Sequence, residues 1–153
     1  MVCTGNICRS PTAHAVLQHK LEALDLGQRV GVDSAGTYPE RGSAPDARSQ
    51  AVARKRGYEL SAIRARALEP QDFERHQLIL AMDQGNLRTL AERKPAGAAP
   101  QLELLLARCP RADGVLEVPD PYYGAPQGFD IVLDMIEAAC DELARQLARQ
   151  LRN

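Results

Sequence analysis

Cys3 and Arg9 stand six positions apart in the run CTGNICRSP, with Gly5, Asn6 and Ile7 between them and Ser10 directly after. Between a strand end and a helix start, such a run can curl so that several backbone N–H groups point into one concavity. Gly5 is the residue expected to supply a positive φ for that curl. A helix beginning near Pro11 adds its positive dipole end to the same spot. Arg9 carries a planar fork suited to two oxygens of one phosphate. The same donors favour a thiolate, which makes Cys3 a nucleophile at neutral pH. Ser10 can donate its hydroxyl to that sulfur and stabilise it as a leaving group. A nucleotide-binding loop of the Gly-Lys-Ser/Thr kind is a poor alternative, because that ending is missing and a cysteine has no use at its start. A lone Cys-x5-Arg arises easily by chance and could be a buried cysteine in a tight turn. The string with Gly, Asn, Ser and Pro in place is far more specific.

Transfer of a phosphoryl group to sulfur needs a second part. The leaving oxygen must be protonated, and water must later be activated to release the phosphocysteine. One carboxyl group can do both in turn. The stretch DPYYG offers Asp120, with Pro121 fixing the backbone and Tyr122 and Tyr123 able to wall an aromatic slot. Taken alone, Asp-Pro is an ordinary turn.

Both groups need elements to position them. Ala13, Val16, Leu17, Leu21 and Leu24 recur at helical spacing after Pro11. The run 30–37 is β-prone. A second helix is expected over DARSQAVARKRG, with Asp46 as N-cap and Gly57 as its stop. LILAMD (78–83) reads as a strand buried on both faces, ended by Asp83, which begins the helix QGNLRTLAER. QLELLLARC is expected to be helical and 114–118 to be a strand. In the last helix Phe129, Val132, Leu133, Ile136, Cys140, Leu143, Leu147 and Leu151 mark one apolar face. Alternating strands and helices predict one α/β domain, residues 1–153, with a mostly parallel sheet. Ligands bind at the carboxyl ends of such strands.

The bulk properties narrow the partners. The chain has 153 residues, 44% hydrophobic and 25% charged, with a formal net charge of -1. No global field recruits nucleic acid or a membrane surface. No apolar run approaches the roughly 20 residues of a bilayer span, and no signal peptide is evident. A cytoplasmic location is therefore expected. The four cysteines are too scattered for a disulfide framework. No Cys or His spacing suits a metal, so none is expected. Cys140 reads as core and Cys109 as packing.

With these residues in hand, the chain resembles the low-molecular-weight protein tyrosine phosphatases. VCTGNICRSPTA resembles their phosphate-binding loop and DPYYG their general-acid loop. DSAGT, the LS…RAR stretch, DFERHQLILAMDQGNLRTL and GFDIVLDMIEAACDEL follow in the family's order. The resemblance implies a flavodoxin-like three-layer α/β sandwich, a four-stranded parallel sheet ordered 2-1-3-4 with helices on both faces, and no cofactor. It makes Cys3 the nucleophile, Arg9 the clamp on the phosphoryl oxygens and Asp120 the general acid, then base. Thr4, Gly5, Asn6, Ile7 and Cys8 complete the phosphate loop. Ser10 stabilises the thiolate, Asn6 and Ser34 hold the loop by hydrogen bonds, and Asp83 helps to orient Arg9. Cys8 matches the family's second loop cysteine, which forms a reversible disulfide with the nucleophile. Tyr38 is the aromatic expected to stack on substrate beside Tyr122 and Tyr123.

The implied substrate is a phosphotyrosine protein, and bacterial relatives imply a tyrosine kinase as partner. Oligomeric state stays open. Protein-arginine phosphatases on this fold carry threonine at the Ile7 position and lack the tyrosine pair. Arsenate reductases need two further cysteines, and none lies between Cys8 and Cys109. A non-catalytic phosphate-binding module needs neither Cys3 nor Asp120. His14, Ile63 and Ala67 depart from a glutamate, a histidine and a glutamine of relatives, in the shell around the loop.

The two residues before Cys3 are the anomaly. A typical strand has about 5–6 residues. The expectation is a chain starting at an internal methionine of a longer protein, its first strand truncated and its sheet neighbours left unpaired. Without an apolar run ahead of Met1, weak phosphate binding and easy unfolding are expected.

Overall fold

A computed structural model describes residues 1–152. Its sheet holds β1 (Val2–Cys3), β2 (Ala35–Gly36), β3 (Leu78–Ala81) and β4 (Gln101–Leu104) in the order β2-β1-β3-β4, all parallel. Between them run α1 (Arg9–Ala23), α2 (Ala47–Lys55), the single turn α3 (Asp72–Arg75), α4 (Gln84–Arg93) and α5 (Gln127–Arg152). This is the flavodoxin-like arrangement expected.

The period-2 alternation of a strand sends neighbouring side chains to opposite faces. Leu80 and Met82 join one apolar cluster with α1 and α5, through Val16, Leu21, Leu133, Ile136 and Leu143. Ile79 and Ala81 join the other, with Phe73, Leu90 and Leu104. Burial on both faces explains why β3 reads as a continuous apolar run. The apolar face of α5 is as expected, with Cys140 fully buried in it.

Two expectations fail. QLELLLARC is not helical: Gln101–Leu104 is the edge strand β4 and Leu105–Arg108 a 3-10 turn. The polar–apolar alternation of Gln101-Leu102-Glu103-Leu104 was the signal, masked by the leucines that follow. The run 114–118 is not a strand. It is held instead by the Val118 N–H donating to the Met82 carbonyl at 2.8 Å, by Arg9 Nη1 donating to the Val118 carbonyl at 3.0 Å and by the Gln84 N–H donating to the Glu117 carboxylate at 2.8 Å.

β1 is short and central. Val2 pairs with Ala35 on one side and with Ala81 on the other. The ladder continues through Met1, whose carbonyl accepts from the Ala35 N–H at 3.0 Å and whose ammonium donates to the Asp33 carbonyl at 3.0 Å. Beyond Ala81, the rest of β3 has a strand neighbour only in β4 among the described residues. A cavity of about 160 Å³ lies on that line, between Val30–Ala35 and Leu78–Leu80. On the β2 side Met1 still pairs, and on the β3 side the pairing with β1 is limited to Val2 and Ala81.

Candidate active site

The site sits where β1 and β3 end. Residues 4–8 leave β1, turn, and enter α1 with Cys8 as its N-cap residue, so Arg9 and Ser10 lie in the first helical turn. The positive φ that shapes the turn belongs to Asn6, at 54°, and not to Gly5. Asparagine tolerates this region because its short side chain can hydrogen-bond locally. Here the side chain does so on both ends: Nδ2 donates to Ser10 Oγ at 2.7 Å, and Oδ1 accepts from the Arg66 N–H at 3.0 Å. Glycine is required elsewhere. A Cβ on Gly36 would lie 2.6 Å from the Thr4 carbonyl oxygen, so only glycine lets β2 pass this close to the loop.

The sulfur of Cys3 is buried and surrounded by donors. Ser10 Oγ lies 3.0 Å from it and the Asn6 N–H donates to it at 3.3 Å. Because Asn6 Nδ2 donates into the Ser10 oxygen, the Ser10 proton is left for one of two acceptors, the sulfur at 3.0 Å or the Ala35 carbonyl at 3.4 Å.

Arg9 is only 3% exposed, and its Nη1 is fully committed: it donates to Asp83 Oδ2 at 2.7 Å and to the Val118 carbonyl at 3.0 Å. A buried guanidinium needs such partners. They also fix the plane of the fork, leaving Nε and Nη2 on the open side. Asp83 is at once the N-cap of α4, accepting from the Asn86 N–H at 2.7 Å. The Asn86 amide, with its oxygen accepting from Thr4 Oγ1 at 3.1 Å, donates to Asp83 Oδ1 at 3.1 Å. The chain Thr4–Asn86–Asp83–Arg9 thereby ties the loop to β3.

Asp120 comes to the same place from the far end of the sequence. Its Oδ2 lies 3.7 Å from Arg9 Nη2, and its Oδ1 accepts from the Tyr122 N–H at 3.1 Å. Cys3, Thr4, Gly5, Ile7, Cys8, Arg9, Asp120, Tyr122 and Tyr123 line one cavity of about 250 Å³. The two tyrosine rings meet edge to face, 4.8 Å apart, with Tyr123 91% exposed at the rim.

Two expected residues lie otherwise. Tyr38 is not in this slot. It is 72% exposed, borders the neighbouring groove with Thr37 and Arg88, and stacks on the Arg93 guanidinium at 5.0 Å. Ser34 makes no hydrogen bond to the loop among the described residues. Its hydroxyl meets His14 Nδ1 at 3.1 Å, and burial pushes His14 below the usual imidazole range. Cys8 does line the cavity, as a free thiol that burial pushes up to about 12. Arg66 escaped attention although it supports the loop through its backbone; its guanidinium is held by Asp33 at 2.8 Å and Asp72 at 2.9 Å. Asp33, Asp72 and His76 approach one another closely enough to suggest ion ligands, but that guanidinium lies between the two carboxylates.

The chain as a whole is similar to known proteins. The family model for low molecular weight phosphotyrosine protein phosphatase matches residues 1–153. A low molecular weight protein-tyrosine-phosphatase of Streptomyces coelicolor is 42% identical over 98% of this chain and 93% of its own. A Synechocystis protein described as a putative member is 40% identical over 99% of this chain and 97% of its own. In three dimensions the chain is similar to a protein tyrosine phosphatase of Entamoeba histolytica, solved with Hepes in its active site. The TM-score is 0.90 at 36% identity, covering 97% of this chain and 95% of that one. Loop, fold and full-length similarity agree, and the chain belongs to the low molecular weight phosphotyrosine protein phosphatases, a family of hydrolases.

Proposed function

We propose that this single domain hydrolyses phosphotyrosine in proteins through a phosphocysteine, with Cys3, Arg9 and Asp120 as catalytic residues. The observation that carries the reading is the convergence of all three on one cavity walled by Tyr122 and Tyr123. The phosphate of the substrate displaces Asp120 from Arg9. Nε and Nη2 of Arg9 and the N–H groups of residues 4–8 then hold its non-bridging oxygens, which gain charge density as sulfur attacks. The S–P bond forms as the P–O bond to tyrosine breaks, and Asp120 delivers its proton to the departing phenolate oxygen. In the second half Asp120 takes a proton from water, water attacks phosphorus, and the sulfur leaves as thiolate toward the Ser10 hydroxyl. Orthophosphate is released.

The Hepes of the Entamoeba enzyme carries a sulfonate, a tetrahedral anion of phosphate's shape, which fits a cradle of this kind. Ile7 and the tyrosine pair favour phosphotyrosine over phosphoarginine. A tyrosine kinase is the partner we favour among phosphotyrosine proteins, and the cytoplasm the place of action. Among the described residues no helix is long and apolar enough to cross a membrane. The test is hydrolysis of an aryl phosphate by the wild type beside Cys3→Ser and Asp120→Ala. Turnover no faster than that of Cys3→Ser ends the proposal.

A further inference from the structure

The general-acid loop is joined to the rest of the protein by very little. Hydrogen bonds within residues 119–129 are local: Tyr122 N–H to Asp120, Gly124 N–H to Pro121, Gly128 N–H to Ala125 and Phe129 N–H to Pro126. Among the described residues, beyond the bonds from the start of α5 and the 3.7 Å ion pair of Asp120 with Arg9, one hydrogen bond reaches residues 119–126 from another element. Arg48 Nη2 donates to the Tyr122 carbonyl at 3.3 Å.

Arg48 is well placed to hold what it touches. Its guanidinium makes a two-pronged pair with Asp46, Nε to Oδ1 at 3.1 Å and Nη2 to Oδ2 at 2.9 Å. The plane of the fork also lies over the Phe129 ring at 4.5 Å and the Tyr122 ring at 5.4 Å. Asp46, for its part, is fastened to the phosphate loop: its N–H donates to the Ile7 carbonyl at 2.8 Å. Its carboxylate caps α2 through the Arg48 N–H at 2.8 Å. An exposed ion pair alone contributes little. A bidentate pair stacked on two rings has one geometry, and that geometry sets the distance between two loops.

We propose that Arg48 is a positioning residue for catalysis: with Asp46 it forms a strap from Ile7 of the phosphate loop to Tyr122, and so holds Asp120 over the sulfur of Cys3. The proposal rests on the reading of Asp120 as general acid. It follows that Arg48 matters where proton delivery matters, and not for holding phosphate, since no atom of Arg48 lines the cavity.

The test compares kcat/KM for two aryl phosphates, 4-nitrophenyl phosphate, whose phenolate leaves without help, and phenyl phosphate, whose phenolate needs a proton. Wild type, Arg48→Met, Arg48→Lys and Asp120→Ala are measured together, with inorganic phosphate as competitive inhibitor. Arg48→Met is expected to lower kcat/KM for phenyl phosphate about tenfold more than for 4-nitrophenyl phosphate, a fraction of what a general acid supplies. Its inhibition by phosphate should stay within twofold of wild type. Arg48→Lys, which keeps the charge and loses the fork, should fall between the two and serves if the methionine variant does not fold. Equal losses on both substrates, with Asp120→Ala still selective against phenyl phosphate, overturn the role of Arg48 and leave that of Asp120 standing. If Asp120→Ala shows no such selectivity, the general-acid reading itself fails and the strap falls with it.

Discussion

Arg9 and Asp83, 74 residues apart in sequence, are joined at 2.7 Å by Nη1 and Oδ2, and the same carboxylate caps α4. One side chain thereby fixes the arginine fork and starts a helix. The two roles can be separated. An Asp83→Asn variant would still cap α4, since asparagine is as good an N-cap as aspartate, but would lose the charge that orients Arg9. It is expected to melt within a few degrees of wild type while kcat/KM falls by about 10- to 100-fold, the cost of a misplaced clamp. Calorimetry and aryl phosphate kinetics on one preparation check both halves. Unchanged kinetics would remove Asp83 from the site.

Asn6 joins backbone strain to hydrogen bonding. It is fully buried at φ 54°, bonded to Ser10 and to the Arg66 N–H. Asn6→Ala should lose about 2–3 kcal/mol, from the left-handed backbone and an unsatisfied buried N–H. Asn6→Gly relieves the first of these alone and should lose less. At about 2–4 °C per kcal/mol for a chain of this size, both losses are visible in thermal melts. A glycine variant less stable than the alanine variant would contradict the strain argument.

The cysteines should differ in reactivity. Burial pushes the thiols of Cys8 and Cys140 up to about 12, which leaves almost no thiolate at neutral pH. Iodoacetate at pH 7 is expected to place its first adduct on Cys3, in step with loss of activity and slowed by inorganic phosphate. Fragment-ion mass spectrometry distinguishes Cys3 from Cys8 within one peptide. A first adduct on Cys8 would show that its burial is not maintained in solution.

The Met1 ammonium carries a pH dependence. Burial lowers it from 8.0 to about 6, in a position where the ladder calls for a peptide N–H. A base with a lowered folded pKa binds fewer protons folded than unfolded between those two values, so stability rises from pH 6 to pH 8. The full shift corresponds to about 2–3 kcal/mol. Denaturant melts of the chain beginning at Met1 should show this slope. An acetylated amino terminus should lose most of it, leaving the smaller contribution of His14, which has the same sign. Three or four apolar residues fused ahead of Met1 should raise the melting temperature further by filling the cavity beside β3. A fusion that melts at the same temperature would mean that the cavity does not destabilise the sheet.

Much of the site was legible because its signals are local. Cys3, Arg9 and Ser10 announce themselves by spacing, Asp120 by the turn it begins, and Asp46 and Asp83 by the helices they cap. Where two local signals competed, the reading failed. The alternation of β4 was hidden by Leu105 and Leu106, and the apolar run at 114–118 suggested a strand where the structure has only the single Val118–Met82 backbone bond to the sheet. Gly5 is the residue most able to adopt positive φ, yet Asn6 adopts it, because only Asn6 can satisfy Ser10 and Arg66 from that conformation.

By itself the amino-acid sequence determined which groups are present to do chemistry and which helices and central strands carry them, since side-chain identity, capping and periodicity act within a few residues. Tertiary structure alone decided how those groups face one another. It turned Tyr38 away to Arg93, gave Ser34 to His14, closed Asp83 on Arg9, and let Arg48 reach across 74 residues to the loop of Asp120. Such contacts join segments that meet only after the sheet has formed, and their geometry is set by packing, which no local stretch encodes.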